Sequence, residues 1–287
     1  MTHQELAAGA RATLERAGIA SDVAQLDAEL LARHVLGWDR ATWLAHRSDT
    51  ATPSFAADYQ QVIARRETRE PVAYIRCIQE FWGREFHVTP AVLIPRPETE
   101  LLIEAVASFL TERPTARVVD VGTGSGCIAV TLALEHPGVT LHATDISPAA
   151  LDVARDNAAR LGAGERIAFV HGAYLATTPV PLDLIVSNPP YVAARDRLTL
   201  PPEVARHEPA EGLFAGEDGL REIHALIAVA QQSLTSGGLL AFEIGLGQAA
   251  DVTRAIEHAP GLELIDILPD LQGIARTVVA RRSDHAA

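Results

Sequence analysis

After Arg117 the chain alternates short apolar runs with helical segments, and this alternation restricts the possible folds more than any other feature. It is typical of an α/β fold in which a mostly parallel sheet carries helices on both faces. Such sheets bind ligands beyond the carboxyl ends of their strands. A closing hairpin is expected from two last apolar runs, Leu262–Leu268 and Arg276–Ala280. The predicted strands are Arg117–Val121, Val139–Thr144, Ile167–His171, Asp183–Ser187 and Leu239–Ile244, and the predicted helices are Gly126–Glu135, Pro148–Leu161, Gly219–Leu234 and Gln248–His258.

The region before this alternation is predicted to be helical. A first helix is expected to end near Gly37, and a second to run from Pro53 to Arg66. Further on, Phe81 and Trp82 lie among glycine and proline, which predicts a short β-hairpin. We divide the chain into a helical N-terminal domain (1–72), a linking β-hairpin (73–93) and an α/β domain (94–287). The N-terminal domain is expected to be a substrate-docking domain, and a packing or capping domain is the alternative. The helical spacing of the first helix is carried by Leu26, Leu30, Leu31, His34 and Val35.

Composition narrows the class of protein. Of the 287 residues, 48% are hydrophobic, which is enough for a sizeable core. The formal net charge of -13 lowers the expectation of nucleic-acid binding and favours a basic protein partner. The chain has only two cysteines, no metal-ligand spacing, no apparent signal peptide and no run of about 18 apolar residues. We expect a cytoplasmic protein with no metal and no contact with membrane or nucleic acid.

A glycine-rich loop follows the first strand and opens the next helix. Glycines permit close approach of a ligand, and the helix start offers free N–H groups. Asp145 ends the second strand, where a carboxylate can accept hydrogen bonds from ribose hydroxyls, and Tyr174 can lie against an adenine ring. These features suit S-adenosyl-L-methionine and NAD alike, because Gly124–Ala129 also satisfies the dinucleotide pattern G-x-G-x-x-A. The candidate cofactor-binding residues of the loop are Gly122, Thr123, Gly124, Ser125 and Gly126.

The sequence Asn188-Pro189-Pro190-Tyr191 follows the fourth strand and favours S-adenosyl-L-methionine over NAD. An asparagine offers both an acceptor and a donor, and two prolines stiffen the loop and leave their carbonyls free. The Asn188 side-chain oxygen and the Pro189 carbonyl can accept the two protons of an amide NH2, and Tyr191 can cover its flat face. This arrangement orients a weak nitrogen nucleophile and stabilises the positive charge that develops on it. The motif therefore indicates methyl transfer to a planar amide or amine nitrogen.

The motifs together resemble those of the HemK/PrmC family, the glutamine methyltransferases of peptide-chain release factors. The likeness spans nearly the whole chain, including the helical N-terminal region. It is far more specific than Asn-Pro-Pro-Tyr alone. The matching segments are Pro71–Ile75, Glu80–Gly83, Leu93–Glu100, Gly122–Gly126, Asn188–Tyr191, Glu203–Pro209, Gly216–Leu220, Phe242–Gly245 and Asp270–Gly273.

This resemblance implies a Rossmann-like fold and methyl transfer from S-adenosyl-L-methionine to the glutamine of a Gly-Gly-Gln loop in a release factor. Arg96 and Glu98 belong to a family motif near the site. By position, the cofactor would be lined by Gly122 to Gly126, Asp145, Tyr174 and Asn188. The glutamine would be held by Asn188, Pro189, Pro190 and Tyr191, of which Asn188, Pro189 and Tyr191 are the expected catalytic residues.

Two departures from the family and several alternatives stay open at this point. Cys77 stands where the family usually has glycine, and Ala173 where an acidic residue is common. The target can instead be a glutamine of a ribosomal protein, or adenine N6 in DNA, which requires extrusion of the base. An NAD-dependent oxidoreductase would explain the glycine loop and Asp145 but not the Asn188 motif. A module that binds the cofactor without catalysis is a further alternative.

Overall fold

The computed structural model describes residues 1–283. They form two compact units. The first comprises Met1–Ile78 together with Pro201–His207, and the second comprises Gln79–Leu200 and the chain from Glu208 onward. Within the described residues, no helix is long and apolar enough to cross a membrane. The domain bounds at residues 72 and 93 stay a prediction.

Eleven α-helices and nine strands are formed by residues 1–283. The helices are α1 (His3–Arg16), α2 (Ser21–Leu36), α3 (Arg40–His46), α4 (Pro53–Glu67), α5 (Val72–Arg76), α6 (Glu100–Glu112), α7 (Cys127–Glu135), α8 (Pro148–Leu161), α9 (Pro202–His207), α10 (Arg221–Ser233) and α11 (Ala249–Glu257). The strands are β1 (Ile78–Phe81), β2 (Arg84–His87), β3 (Arg117–Val121), β4 (Thr140–Asp145), β5 (Ile167–His171), β6 (Leu182–Ser187), β7 (Leu234–Glu243), β8 (Leu262–Pro269) and β9 (Ala275–Arg282).

The first unit is a cluster of helices around its own core, as its sequence spacing predicts. The buried face of α2 differs from the one that its leucines suggest, because Leu26 is 69% exposed. Leu31, of the predicted set, is buried together with Ala24 and Ala28. Small alanine side chains let neighbouring helices approach closely, so packing between helices and not residue hydrophobicity decided which face is covered.

Cys77 shows how the first unit accommodates a departure from the family pattern. The residue ends α5 in the left-handed conformation, with φ of 59°. This conformation favours glycine, since a side chain there crowds the backbone. The glycine that is usual at this position therefore has a structural reason, and Cys77 adopts the same conformation at some cost in strain.

The second unit is built on a seven-stranded sheet with the order β5-β4-β3-β6-β7-β9-β8. Strands β3 to β7 pair in parallel, and β9 pairs antiparallel with both β7 and β8. Residues along each central strand point alternately to opposite faces, so both faces are apolar. Val186 of β6 packs on the side of α6, α7 and α8, whereas Ile185 packs on the side of α10 and α11. The predicted α/β class, with helices on both faces, is confirmed.

The predicted elements of this unit are all present, and β3, α8 and β5 have the predicted bounds. The largest difference is at β7, which begins at Leu234, five residues before the predicted start. Leu234 pairs with Leu182 of β6, although Gly237 and Gly238 interrupt the apolar pattern in between. Pairing with a neighbouring strand thus extends β7 through residues whose own preference for strand is weak.

Candidate active site

Strands β3 and β6 end side by side at the point where the sheet order reverses. Val121 and Ser187 are register partners, so the loops that begin at Gly122 and Asn188 emerge next to each other. Parallel sheets bind ligands in the crevice at such a reversal. A cavity of about 910 Å³ opens there, large enough for a small-molecule ligand. The predicted residues on its wall are Gly122, Thr123, Gly124, Ser125, Asp145, Tyr174, Asn188, Pro189 and Pro190.

Two predicted residues, Gly126 and Tyr191, are absent from the wall of this cavity. Gly126 precedes α7 with φ of 80°, and a Cβ there would lie 3.1 Å from the Ala154 Cβ. Glycine therefore serves the close packing of α7 against α8 and the turn of the loop. The hydroxyl of Tyr191 donates to the carboxylate of Glu243, which is not on the wall either.

Asp145 holds the glycine loop in place. One carboxylate oxygen accepts the Gly124 N–H at 2.9 Å, and the other accepts the Ser147 N–H at 2.8 Å. The start of α8 is capped by the Ser147 hydroxyl, which accepts the Ala150 N–H at 3.2 Å. Asp145 is thus not the helix cap. Each of its oxygens has a second lone pair with which to accept a ligand hydroxyl.

Asp120 supports the same loop from below the cavity. The side chain is fully buried, and one carboxylate oxygen accepts the Thr123 hydroxyl at 2.6 Å and the Ala129 N–H at 3.2 Å. Within residues 1–283 the other oxygen has no hydrogen-bond partner. Burial raises the pKa of Asp120 to about 7, although the bonds from Thr123 and Ala129 oppose this rise.

Tyr174 lines the cavity in a left-handed backbone conformation, with φ of 49°. Its hydroxyl donates to the Glu222 carboxylate at 2.8 Å, and burial together with Glu222 raises the pKa of Tyr174 to about 12. Glu222 and the small side chain of Ala173 are on the wall as well. Ile146 adds an apolar side chain that is 55% exposed next to Asp145. An aromatic ring, an aliphatic side chain and a carboxylate thus meet in this part of the cavity.

Asn188 is the first member of a chain of hydrogen bonds that leads away from the cavity. Its Nδ2 donates to the Thr99 hydroxyl at 3.0 Å, and Thr99 donates to the Glu243 carboxylate at 2.6 Å. The other Glu243 oxygen accepts the Tyr191 hydroxyl at 2.8 Å. Glu243 is 1% exposed, and burial raises its pKa, while the bonds from Thr99 and Tyr191 and the charge of Arg276 act in the opposite direction. Burial and the nearby Glu243 also raise the pKa of Tyr191.

The backbone of the Asn188 loop is fixed separately. Gln248 donates to the Tyr191 carbonyl at 3.0 Å and accepts the Gly245 N–H at 2.8 Å. Gly219 lies so close that a Cβ there would come within 2.2 Å of the Tyr191 oxygen. Val192 is bridged to Phe214 in parallel fashion. These contacts fix the backbone of the loop.

Two family descriptions match this chain: the PrmC N-terminal domain covers residues 5–76, and the methyltransferase small domain covers residues 97–203. A release factor glutamine methyltransferase of Cereibacter sphaeroides is 45% identical over 93% of this chain and 94% of its own length. One of Deinococcus radiodurans is 39% identical over 99% of both chains. The chain belongs to the release factor glutamine methyltransferase family.

A likeness of fold extends beyond this family. The hMettl16 catalytic domain, solved in complex with a MAT2A 3'UTR hairpin, superposes with a TM-score of 0.57. The match covers 76% of this chain and 81% of that one, at 17% identity. At such low identity the likeness concerns the methyltransferase fold alone. Both findings agree with the family and fold class that the sequence motifs indicated.

The geometry explains several family motifs whose roles the sequence left open. Thr99 lies near the end of the Leu93–Glu100 motif, and Glu243 lies in the Phe242–Gly245 motif. Neither residue was predicted to belong to the site. The presence of a threonine and a glutamate inside two family motifs could have indicated it. In the same way Gly219, of the Gly216–Leu220 motif, is required by the nearby Tyr191 carbonyl.

Arg96 and Cys127 have structural roles. Arg96 binds the carboxylate of Glu208, whose other oxygen accepts the Ile94 N–H at 3.2 Å. Cys127 is buried, and burial raises the pKa of its thiol to about 12, so it is a packing residue and not a nucleophile. Among residues 1–283 no group of three or more His, Cys, Asp or Glu side chains could hold a metal ion.

Proposed function

We propose that this chain transfers a methyl group from S-adenosyl-L-methionine to the side-chain amide nitrogen of the glutamine in the Gly-Gly-Gln motif of peptide-chain release factors. The names of its relatives, at up to 45% identity over nearly the whole chain, support this substrate. The observation that carries the chemistry is the orientation of Asn188. Its Nδ2 is used by Thr99, so Oδ1 is the atom left for an N–H of the target.

Two acceptors serve the two protons of a primary amide. Within residues 1–283, neither Asn188 Oδ1 nor the Pro189 carbonyl accepts a hydrogen bond. When both hold the amide protons, the nitrogen lone pair is turned away from the loop, and its orientation is fixed before reaction. The nitrogen becomes positively charged as it gains a methyl group, and both acceptors stabilise that charge. One proton is then lost to water, which leaves the neutral N-methyl amide.

S-Adenosyl-L-methionine suits the residues of the cavity. Asp145 has lone pairs for ribose hydroxyls, and Tyr174 and Ile146 offer faces for a flat ring. When bound, this molecule supplies a methyl group that is activated by its positively charged sulfur. Glu222 lies on the same wall and carries the acidic function that Ala173 lacks. The roles of these residues in cofactor binding, and those of Pro190 and Tyr191 in substrate binding, remain part of the proposal.

The test is methyl transfer from radiolabelled S-adenosyl-L-methionine to purified release factor, with a Gln→Ala release factor as control. We expect label in the wild-type factor alone. No label, from a preparation that binds the cofactor, would contradict the proposed substrate and direct the search to ribosomal proteins or DNA. Cytoplasmic location belongs to the same proposal, because release factors act at ribosomes.

A further inference from the structure

Glu243 is a buried carboxylate that takes no direct part in the proposed methyl transfer. It is the last residue of β7, and its neighbour Phe242 is the register partner of Ser187, which precedes Asn188. The sheet therefore brings Glu243 and Asn188 to the same edge. Among the described residues Glu243 forms no ion pair, and its two oxygens accept one hydroxyl each, from Thr99 at 2.6 Å and Tyr191 at 2.8 Å. A buried charge held by two neutral donors is unusual, because such charges are normally paired.

The direction of each bond in this network follows from the carboxylate. In its ionised form Glu243 can only accept, so the single hydroxyl proton of Thr99 then points to Glu243. The Thr99 oxygen then has only lone pairs left, and its partner at Asn188 must be the NH2 group and not the oxygen. The two ends of an asparagine amide are nearly alike in shape, so only such a network can decide which end faces the cavity.

We propose that Glu243 is a positioning residue that acts through Thr99 to turn the Asn188 oxygen toward the target nitrogen. This inference rests on the proposed function, in which Asn188 holds the target amide. The second oxygen of Glu243 holds the Tyr191 hydroxyl, which ties the other end of the Asn188–Tyr191 loop to the same carboxylate. Removing the charge leaves the Thr99 hydroxyl free to donate its proton to the Asn188 oxygen instead, and the Asn188 amide then populates both orientations.

The orientation of Asn188 can be measured without any substrate. The chain has only two asparagines, Asn157 and Asn188, so 15N-asparagine labelling gives two side-chain NH2 signals in an NMR spectrum. Asn157 is a built-in reference, because its Nδ2 donates to the His87 and Ser125 carbonyls, both at 2.9 Å. We expect Glu243→Gln and Thr99→Val each to shift the Asn188 NH2 signals and speed their exchange with water. The Asn157 signals should stay in place.

Kinetics with release factor provide the second readout. The side-chain amide introduced by Glu243→Gln offers one oxygen and one NH2 group, so at most one of the two hydroxyl bonds survives in its present direction. We expect Glu243→Gln and Thr99→Val each to lower kcat by up to about 100-fold, the cost of a misplaced reacting group. The Kd for S-adenosyl-L-methionine should change less. Thr99→Ser, which keeps the hydroxyl, should restore most of kcat.

A double variant separates this role from a merely structural one. Both substitutions cut the same chain of bonds, so Thr99→Val with Glu243→Gln should lose little more than either alone. Thr131 supplies a matched control, because it is equally buried and its hydroxyl has no partner within residues 1–283. Thr131→Val should leave kcat and the Asn188 signals unchanged.

The two proposals fail in different ways. The positioning role would be overturned if the Asn188 signals stayed unshifted in Glu243→Leu, which removes both acceptors, or if losses of kcat multiplied in the double variant. Failure of the wild-type protein to methylate release factor would instead overturn the proposed function, and the NMR result would still decide whether Glu243 orients Asn188.

Discussion

Glu203 of the first unit and Glu243 of the second each bind two donors, but the donors differ in charge. Glu203 accepts from two guanidinium groups, those of Arg66 at 3.0 Å and Arg69 at 2.8 Å. Glu243 accepts from two hydroxyls. The comparison shows what the choice of donor does to a carboxylate of the same kind.

The pKa values of the two glutamates move in opposite directions. Burial acts to raise the pKa of Glu203, but hydrogen bonds from Arg69, its own backbone and Arg66 outweigh burial and hold it below its ordinary value. Burial raises the pKa of Glu243, and its hydroxyl donors offset only part of the rise. Guanidinium groups neutralise a charge and fix a segment in place. Hydroxyls leave the charge uncompensated but are themselves oriented by it, which suits a site where the direction of hydrogen bonds matters.

The largest expected effect is on stability in the charge-paired region. Arg66 is buried and also binds Asp27 at 2.7 Å. Arg66→Met should lower the free energy of unfolding by roughly 3–5 kcal/mol, because it leaves the buried Asp27 carboxylate without its partner. Urea unfolding followed by tryptophan fluorescence will measure this. Arg65→Met, which removes a more exposed pair with Glu70, is the control and should cost no more than about 1 kcal/mol. Equal losses of unfolding free energy in Arg66→Met and Arg65→Met would contradict this prediction.

In the hydroxyl-bound region the main loss should be in turnover and not in stability. Asn188→Ala removes one of the two acceptors for the target nitrogen, so kcat should fall by roughly 100- to 1,000-fold. The free energy of unfolding should fall by only about 1 kcal/mol, the value of one hydrogen bond. The Kd for S-adenosyl-L-methionine should rise less than kcat falls. Near-normal turnover in methyl-transfer assays would disprove the assigned role.

Asp120 extends the comparison to pH, since it too is a buried carboxylate with neutral donors. Its pKa is raised from 3.8 to about 7 in the folded protein. A raised pKa means that the folded state holds the proton more tightly, so this stabilisation is present below about pH 4 and is lost as pH rises through about 7. Asp120→Asn has no ionisable proton at this position, so its stability lacks this dependence on pH.

The measurement is urea unfolding of both proteins at several pH values. Between pH 5 and 8, the free energy of unfolding of the wild type should fall relative to the variant by at least about 1 kcal/mol, near the value of one pKa unit. A difference that stays constant with pH would show that Asp120 is ionised throughout.

The smallest effect is expected at Tyr174, whose hydroxyl meets the more accessible carboxylate of Glu222. Tyr174→Phe keeps the ring and removes one hydrogen bond of about 0.5–1.5 kcal/mol, so the Kd for S-adenosyl-L-methionine should rise by no more than about 10-fold. Tyr59→Phe is the matched control in the first unit, where the hydroxyl donates to the Ala28 carbonyl at 2.8 Å. It should lower stability and leave the Kd unchanged. A rise of the Kd in Tyr59→Phe but not in Tyr174→Phe would contradict this prediction.

Sequence reasoning predicted the second unit more closely than the first. Its strands alternate with helices, and each element has its own apolar period, so β3, α8 and β5 could be bounded correctly. In α2 the period was clear but the buried face was not, because Leu26 is exposed and small residues pack instead. A helical period in the sequence indicates that one face of the helix is buried, whereas packing against the neighbouring helices decides which face that is.

The sequence by itself determined the α/β class, the family and the loops that meet at the cavity, because glycine and proline constraints and strand periods are local properties. Only the tertiary structure decided which donor each buried carboxylate meets. Thr99 and Glu243 are 144 residues apart in the chain and become neighbours through the order of the strands. Whether Glu203 meets arginines and Glu243 meets hydroxyls is set by such long-range packing, on which no local pattern depends.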